Sequence, residues 1–294
     1  MKNVELMVTL WPSFVHFPRF AMDERLAGIR LNSAMMSNTE IESELVLIEA
    51  THPTVPLYFD VKGRQLRVTK VHPIRNGCLD ISLNHPIDVR TPTIVLFKAG
   101  ADRALLRRVV CDGIRLVFDG GPNFNVREGE SLHIRDATLR TFGPQFTDAE
   151  LQKITLVKKN GFKRFFLSYV QSAADVAEFR NLVGDDALIY LKIEDQKGLN
   201  YVANDFVKQP NLKLVAACGD LFVEVQRPHE ILNALRLIIG KDPDACVGSR
   251  LLLSVIHEPV PSLADLAHVA WLYDIGYHTF LLCDELCLKE SLLA

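Results

Sequence analysis

Residues 188–198 read LIYLKIEDQKG, a hydrophobic run that ends on Lys192 and Glu194. Side chains alternate between the faces of a strand, so residues two apart share a face. A lysine and a glutamate facing a sheet or barrel core are costly, unless the strand has already met water or something there uses the charges. Other hydrophobic runs end in the same way: IRLN on Arg30 and Asn32, DVKG on Asp60 and Lys62 with Arg67 beyond, CGD on Gly219 and Asp220, and SV on Ser254. Glu194 and Asp220 together offer hard oxygen donors for Mg²⁺ or Mn²⁺; Mg²⁺ usually binds one or two carboxylates and fills its remaining positions with water and substrate. Lysine and arginine beside such a pair suit an anionic substrate. Any one of these residues is equally explained as a strand end in solvent; the set as a whole points to a site.

The elements that would bring the set together follow from the pattern of the chain. From about residue 147 onward, apolar runs of strand length alternate with capped helical stretches. FTDAELQKITLVKKNG has a threonine cap, an early acid and a closing glycine, and SAADVAEFRNLVG and PHEILNALRLIIG repeat that grammar. Strands are expected at FKRFFLS, ALIYLKIE, LKLVAACGD, SRLLLSVIHE and YHTFLLCDE, after three earlier ones at VELMVTLWP, LAGIRLNS and VPLYFDVKG. Eight strands mostly separated by helices predict an α/β fold, a (βα)₈ TIM barrel. Residues 68–144 break the rhythm with short alternating segments and Asp-Gly, Gly-Gly and Glu-Gly turns, which predicts a small β-rich domain inserted after the third strand. The expected organisation is therefore a barrel from 1–67 and 145–294 carrying a β domain at 68–144. In this architecture active sites are built at the C-terminal ends of the strands.

Composition narrows the partners. The chain has 294 residues, a formal net charge of −3 and 48% hydrophobic residues, with Lys and Arg scattered along it. That balance gives no reason to expect a nucleic-acid partner. No run of eighteen apolar residues occurs, so no membrane span is expected. MKNVELMVTLWPSF carries a glutamate inside its apolar stretch and reads as a first strand, not a signal peptide. The six cysteines lack metal-finger spacing and read as reduced thiols of a cytoplasmic protein. Neither G-x-x-x-x-G-K-[ST] nor G-x-G-x-x-G occurs.

The order of the motifs resembles pyruvate kinase. MVTLWPS is similar to that family's first-strand motif, GIRLNS to Ala-Arg-Leu-Asn-Phe-Ser, and YFDVKGRQLR to Asp-Thr-Lys-Gly-Pro-Glu-Ile-Arg. LKIEDQKGLNY is similar to Lys-Ile-Glu-Asn-Gln-Glu-Gly, and AACGDLFVEV to Ala-Arg-Gly-Asp-Leu-Gly-Val-Glu. The resemblance runs through nearly the whole chain and rests on order and spacing more than on any single motif. It implies phosphoenolpyruvate, pyruvate or a related 2-oxo acid as substrate. It makes Lys192 the stabiliser of the transferring phosphoryl group and the enolate, Glu194 and Asp220 the metal ligands, and Arg30 a phosphate contact. The amides around Gly219 and Asp220 would hold the substrate carboxylate, with Asn32, Asp60 and Arg67 also lining the substrate site, and Ser254 would stand near the proton-transfer position.

The departures are equally specific. Of the family's potassium-binding set, Asn32 and Asp60 remain, but the serine and threonine are Ala34 and Val61, so potassium is not expected. Gln65 replaces a glutamate, Met35 a histidine and Cys218 an arginine, while LHIRDAT stands where a lysine-rich segment occurs, which makes nucleotide binding doubtful. Phosphoryl transfer and nucleotide-free lyase, aldolase or decarboxylase chemistry all need the same enolate and stay open. The alternative reading is a non-catalytic relative that binds a metabolite or a protein. About ten residues follow the expected eighth strand, so no counterpart of the family's C-terminal domain is expected in this sequence. A homo-oligomer is expected, its partner covering the outer face left bare there.

Overall fold

The structure is a computed structural model and describes residues 3–34, 36–73 and 77–288. Eight parallel strands close into a barrel: β1 (Glu5–Thr9), β2 (Leu26–Asn32), β3 (Leu57–Val61), then β12 (Arg164–Leu167), β13 (Leu188–Ile193), β14 (Leu212–Ala217), β15 (Cys246–Gly248) and β16 (Thr279–Leu281), with β16 pairing back onto β1. The chain leaves the barrel after β3 for β4 (Val68–Val71), β5 (Asp80–Leu83), β6 (Ile87–Asp88), β7 (Thr93–Phe97), β8 (Asp102–Val110), β9 (Arg115–Asp119), β10 (Leu132–His133) and β11 (Arg140–Thr141). Six of these form one antiparallel sheet in the order β10-β7-β8-β9-β5-β4, and β11 pairs with β6. This is a TIM barrel with a β domain inserted after its third strand.

Helices α1 (Phe17–Ala21), α2 (Asn38–Thr51), α3 (Asp148–Lys159), α4 (Ala173–Val183), α5 (Gln196–Asn204), α6 (Cys218–Glu224), α7 (Ile231–Lys241), α8 (Leu263–Asp274) and α9 (Asp284–Cys287) accompany the barrel strands. Caps explain where the longer ones begin. Ser37, Thr147, Ser172 and Ser262 each accept a hydrogen bond from the backbone N–H three residues on, and Ser37 with Glu40 completes a reciprocal box. Replacing such a cap by alanine costs about 1 kcal/mol.

Three hydrophobic clusters divide the work. One fills the shell between strands and helices, and a second fills the inserted domain. The third is the barrel interior itself, where Met7, Tyr58, Phe166, Tyr190, Val215, Cys246 and Leu281 pack as a plug. Gly28 belongs to this layer because a Cβ there would lie 2.6 Å from the Tyr58 ring and 2.8 Å from Met7. Two residues on, the period of the strand places Thr9, Arg30, Asp60, Ser168, Lys192, Ala217 and Gly248 on the same inward face, directly above the plug.

Two expectations are corrected here. The seventh strand is Cys246–Gly248 and ends before SRLLLSVIHE begins: Ser249, Arg250 and Leu252 have φ of 66°, 55° and 54°, which no strand tolerates, and residues 253–256 form a 3₁₀ turn. The surface beside the eighth strand is not bare, because Leu286 and Cys287 of α9 are fully buried and the Thr9 N–H donates to Cys287 Sγ at 3.3 Å. Exposed apolar surface lies instead around α8, where Leu263 and Leu266 are 83% and 52% exposed and Val260 is 63% exposed. Among the described residues no helix is long and apolar enough to cross a membrane.

Candidate active site

Asp60 organises the layer above the plug. Its carboxylate is fully buried and accepts from Arg30 Nε at 2.7 Å and Nη2 at 2.5 Å. Lys62 Nζ lies 3.0 Å and Lys192 Nζ 3.5 Å from the same oxygen, while Ser168 Oγ donates to the other at 3.0 Å. Three basic side chains thus meet one buried carboxylate, and Glu194 and Asp284 answer Lys192 and Arg30 in turn. Arg30 also donates to Thr9 Oγ1 and reaches Asp284 Oδ1 at 3.4 Å.

Lys192 is held from three sides. Nζ donates to Ser168 Oγ at 2.9 Å, pairs with Glu194 Oε1 at 2.8 Å and stands near Asp60. Burial alone would lower its pKa, but the charges of Asp60 and Glu194 outweigh burial and raise it, keeping the ammonium form. Lys62 moves the other way: burial lowers it, Asp60 opposes, and the neighbouring Lys192 and Arg30 depress it further. Glu194 is 1% exposed, and its second oxygen accepts the Tyr169 N–H at 2.7 Å. Burial raises its pKa, Lys192 works against the rise and the charge of Asp220 adds to it.

Arg30, Lys62, Lys192 and Glu194 line one cavity of about 340 Å³ at the C-terminal mouth of the barrel, together with Asn32, Ala34, Gln65, Arg67, Asp220, Ser249, Asp284 and Glu285. The AACGD segment ends its strand at Ala217, and Gly219 and Asp220 open the first turn of α6. A Cβ at Gly219 would lie 2.4 Å from Ser249 Oγ, so any larger residue there would displace that hydroxyl. Arg67, on the way into the inserted domain, donates to Gly129 O at 2.7 Å and leaves its buried Nε without a partner. Asn32 donates to Asp284 Oδ2 at 2.8 Å.

The structure brings Arg30, Asn32, Arg67, Lys192, Glu194 and Asp220 around this cavity, buries Asp60 against Arg30 and Lys192, sets Gly219 beside Asp220 without lining it, and leaves Ser254 out. Ser254 Oγ donates to Asp265 and accepts from the Ser262 N–H, closing the start of α8. The hydroxyl that reaches the cavity from the seventh strand is Ser249, which the continuous apolar look of the following LLLSVI concealed. Ser168 and Lys62 were legible by period two from Phe166 and Asp60, whereas Asp284 carried no local signal. Cys218 and Val61 are buried in the strand–helix shell, so neither faces the cavity. Met35 lies outside the described residues.

Glu194 and Asp220 suit a divalent cation: two carboxylates line the same cavity, and the charge of Asp220 disfavours that of Glu194. Among the described residues no three His, Cys, Asp or Glu side chains are grouped to hold an ion by themselves, so water and substrate oxygens would complete the shell.

The inserted domain closes the far side of this mouth. His133 on β10 is 1% exposed; its Nδ1 lies 2.6 Å from Glu224 Oε1 and its Nε2 lies 3.6 Å from Asp220 Oδ1. Burial would lower the His133 pKa, but the bond and charge of Glu224, with Asp220, raise it. Tyr169, at φ 54°, turns its hydroxyl toward His133 at 3.3 Å.

No family model matches the chain. Sequence relatives do. A pyruvate kinase of Methanocaldococcus jannaschii is 25% identical over 303 residues, covering 97% of this chain and 65% of its own length. Those of Naumovozyma castellii and Saccharomyces cerevisiae are 25% and 24% identical over 92% of this chain and 60% of their own lengths. The chain therefore spans 60–65% of the length of these relatives. With a barrel, an insertion after its third strand and matches along almost its entire length, the chain is similar to pyruvate kinases as a divergent relative.

Proposed function

We propose that this chain is a pyruvate kinase-like enzyme that binds phosphoenolpyruvate, pyruvate or a related 2-oxo acid with Mg²⁺ or Mn²⁺ and stabilises its enolate. The observation that carries this is Lys192, an ammonium group locked by Asp60, Glu194 and Ser168 at the floor of a cavity that also holds Arg30 and Lys62. Such preorganisation costs no rearrangement when charge develops on a substrate oxygen. Glu194 and Asp220 would hold the cation, which when bound polarises substrate oxygens as a Lewis acid. Arg30 and Lys62 add charge for a phosphoryl or carboxylate group, and Gly219 makes room for Ser249 beside Asp220. The relatives, named as pyruvate kinases, favour phosphoryl transfer over lyase chemistry. The test is exchange of the methyl protons of pyruvate in deuterated water, followed by NMR with and without Mn²⁺ and with and without ADP or ATP. Metal-dependent exchange is expected; no exchange and no conversion of phosphoenolpyruvate under any of these conditions would refute the reading.

Potassium is expected to leave the rate unchanged. Ala34 offers no oxygen to the cavity, Asp60 is already surrounded by Arg30, Lys62 and Lys192, and the Asn32 amide is engaged by Asp284. Rates in matched potassium and sodium chloride check this, and a large increase specific to potassium would overturn it. The altered lining at Ala34, with Met35 beside it in sequence, leaves little for a nucleotide, so Mg-ADP and Mg-ATP should bind more weakly than micromolar in isothermal titration.

The proposed homo-oligomer now rests on α8 and not on the eighth strand. Val260, Leu263 and Leu266 form an exposed apolar face of the kind soluble proteins bury against a partner. Light scattering should give a mass above one chain, and Leu263→Lys with Leu266→Lys should return it to the monomer.

A further inference from the structure

We propose that His133, contributed by the inserted domain, is a positioning residue for Asp220, so that the insertion sets the geometry of the cation site. This rests on the reading of Glu194 and Asp220 as metal ligands. Asp220 sits in the first turn of α6, a helix of two turns whose placement depends on what packs against it. The inserted domain grips that helix at both ends. Toward its start, His133 Nε2 faces Asp220 Oδ1 at 3.6 Å. Toward its end, Glu224 Oε1 lies 2.6 Å from His133 Nδ1, Arg135 Nε donates to Val223 O, and Arg135 Nη2 donates to Phe222 O at 3.2 Å.

Two features argue that the ring serves more than packing. His133 Nε2 is buried and has no hydrogen-bond partner, although unpartnered buried polar atoms are rare and costly. Its direction is also not free to wander, because Nδ1 is anchored by Glu224 and approached by the Tyr169 hydroxyl. Tyr169 in turn gives its N–H to Glu194, so a single chain of contacts runs from Asp220 through His133 and Tyr169 to Glu194. Outer contacts that orient a ligating carboxylate typically govern metal affinity by roughly 10–100-fold.

The distinguishing experiment uses the two amides that mimic one ring nitrogen each. Glutamine carries its N–H₂ where histidine carries Nε2, and asparagine where it carries Nδ1. Mn²⁺ affinity is measured by electron paramagnetic resonance on the full chain and on Asp220→Asn, His133→Gln, His133→Asn and His133→Phe, with melting temperatures alongside. The expected result is loss of binding in Asp220→Asn, a roughly 10–100-fold loss in His133→Phe and His133→Asn, and near wild-type affinity in His133→Gln. Rescue by asparagine and not glutamine would show that His133 merely ties Glu224 in place, and would overturn the proposal. So would unchanged affinity in all three His133 variants, or ¹⁴N coupling to the bound Mn²⁺, which would make the ring a direct ligand. Should His133→Phe fail to fold, the glutamine and asparagine pair still decides. Wild-type protein that binds no Mn²⁺, or binds it independently of Asp220, would refute the metal reading itself and this inference with it, an outcome distinct from failure of the His133 variants alone.

Discussion

Lys192→Met is expected to reduce turnover by on the order of 10²–10³, the loss typical of removing one preorganised stabiliser of a developing oxyanion. The unbranched stem is kept, so the plug beneath it stays filled and only the charge disappears. The loss should fall on kcat and kcat/KM together, because the ammonium is aimed at charge that appears during the reaction. The stability cost should be moderate: Asp60 keeps Arg30 and Lys62, and Glu194 keeps the Tyr169 N–H. Steady-state rates of metal-dependent exchange on pyruvate, with a urea melt of the same preparation, separate the two effects. A variant with wild-type rates would remove Lys192 from the mechanism.

Asp60→Asn is expected to damage the fold more than any single change among the cations around it. The carboxylate is fully buried and answers Arg30, Lys62 and Lys192 at once. Its pKa lies far below the ordinary carboxylate value: burial pushes it up, but the charges of Lys192, Lys62 and Arg30 overwhelm that penalty. Neutralising it removes the one carboxylate that Arg30, Lys62 and Lys192 share, leaving Glu194 for Lys192 and the more distant Asp284 for Arg30. Breaking a buried ion pair from one side typically costs about 3–5 kcal/mol, and here the loss should reach the upper part of that range. Urea unfolding followed by circular dichroism measures it. The companion change Lys62→Met should cost far less, since it relieves repulsion from Lys192 and Arg30 while two cations remain on Asp60. Equal destabilisation by both would contradict this account of the cluster.

The contrast between these residues shows what each level of description could reach. The barrel was legible because period-two runs alternating with capped helices leave few ways to bury so many apolar strands, and the parallel barrel is the one that eight such units satisfy. Lys192 and Glu194 were legible as a pair because two residues apart on a strand means one face, but only the set of strand-end charges, not this pair alone, pointed to a site. Ser249 was not legible, because Ser249, Arg250 and Leu252 adopt left-handed conformations that none of their side chains favours locally. The same is true of the start of α6, where an apolar strand turns into a helix at Cys218 with no capping side chain to announce it. Asp284 and His133 lay furthest from reach. Asp284 meets Asn32 across 252 residues and His133 meets Glu224 across 91. Local sequence determined the alternation, the caps and the face each strand-end charge occupies, since these depend on near neighbours alone. Which charges meet, and which of them the inserted domain touches, was decided only when barrel closure and the docking of that domain brought distant segments within hydrogen-bonding distance.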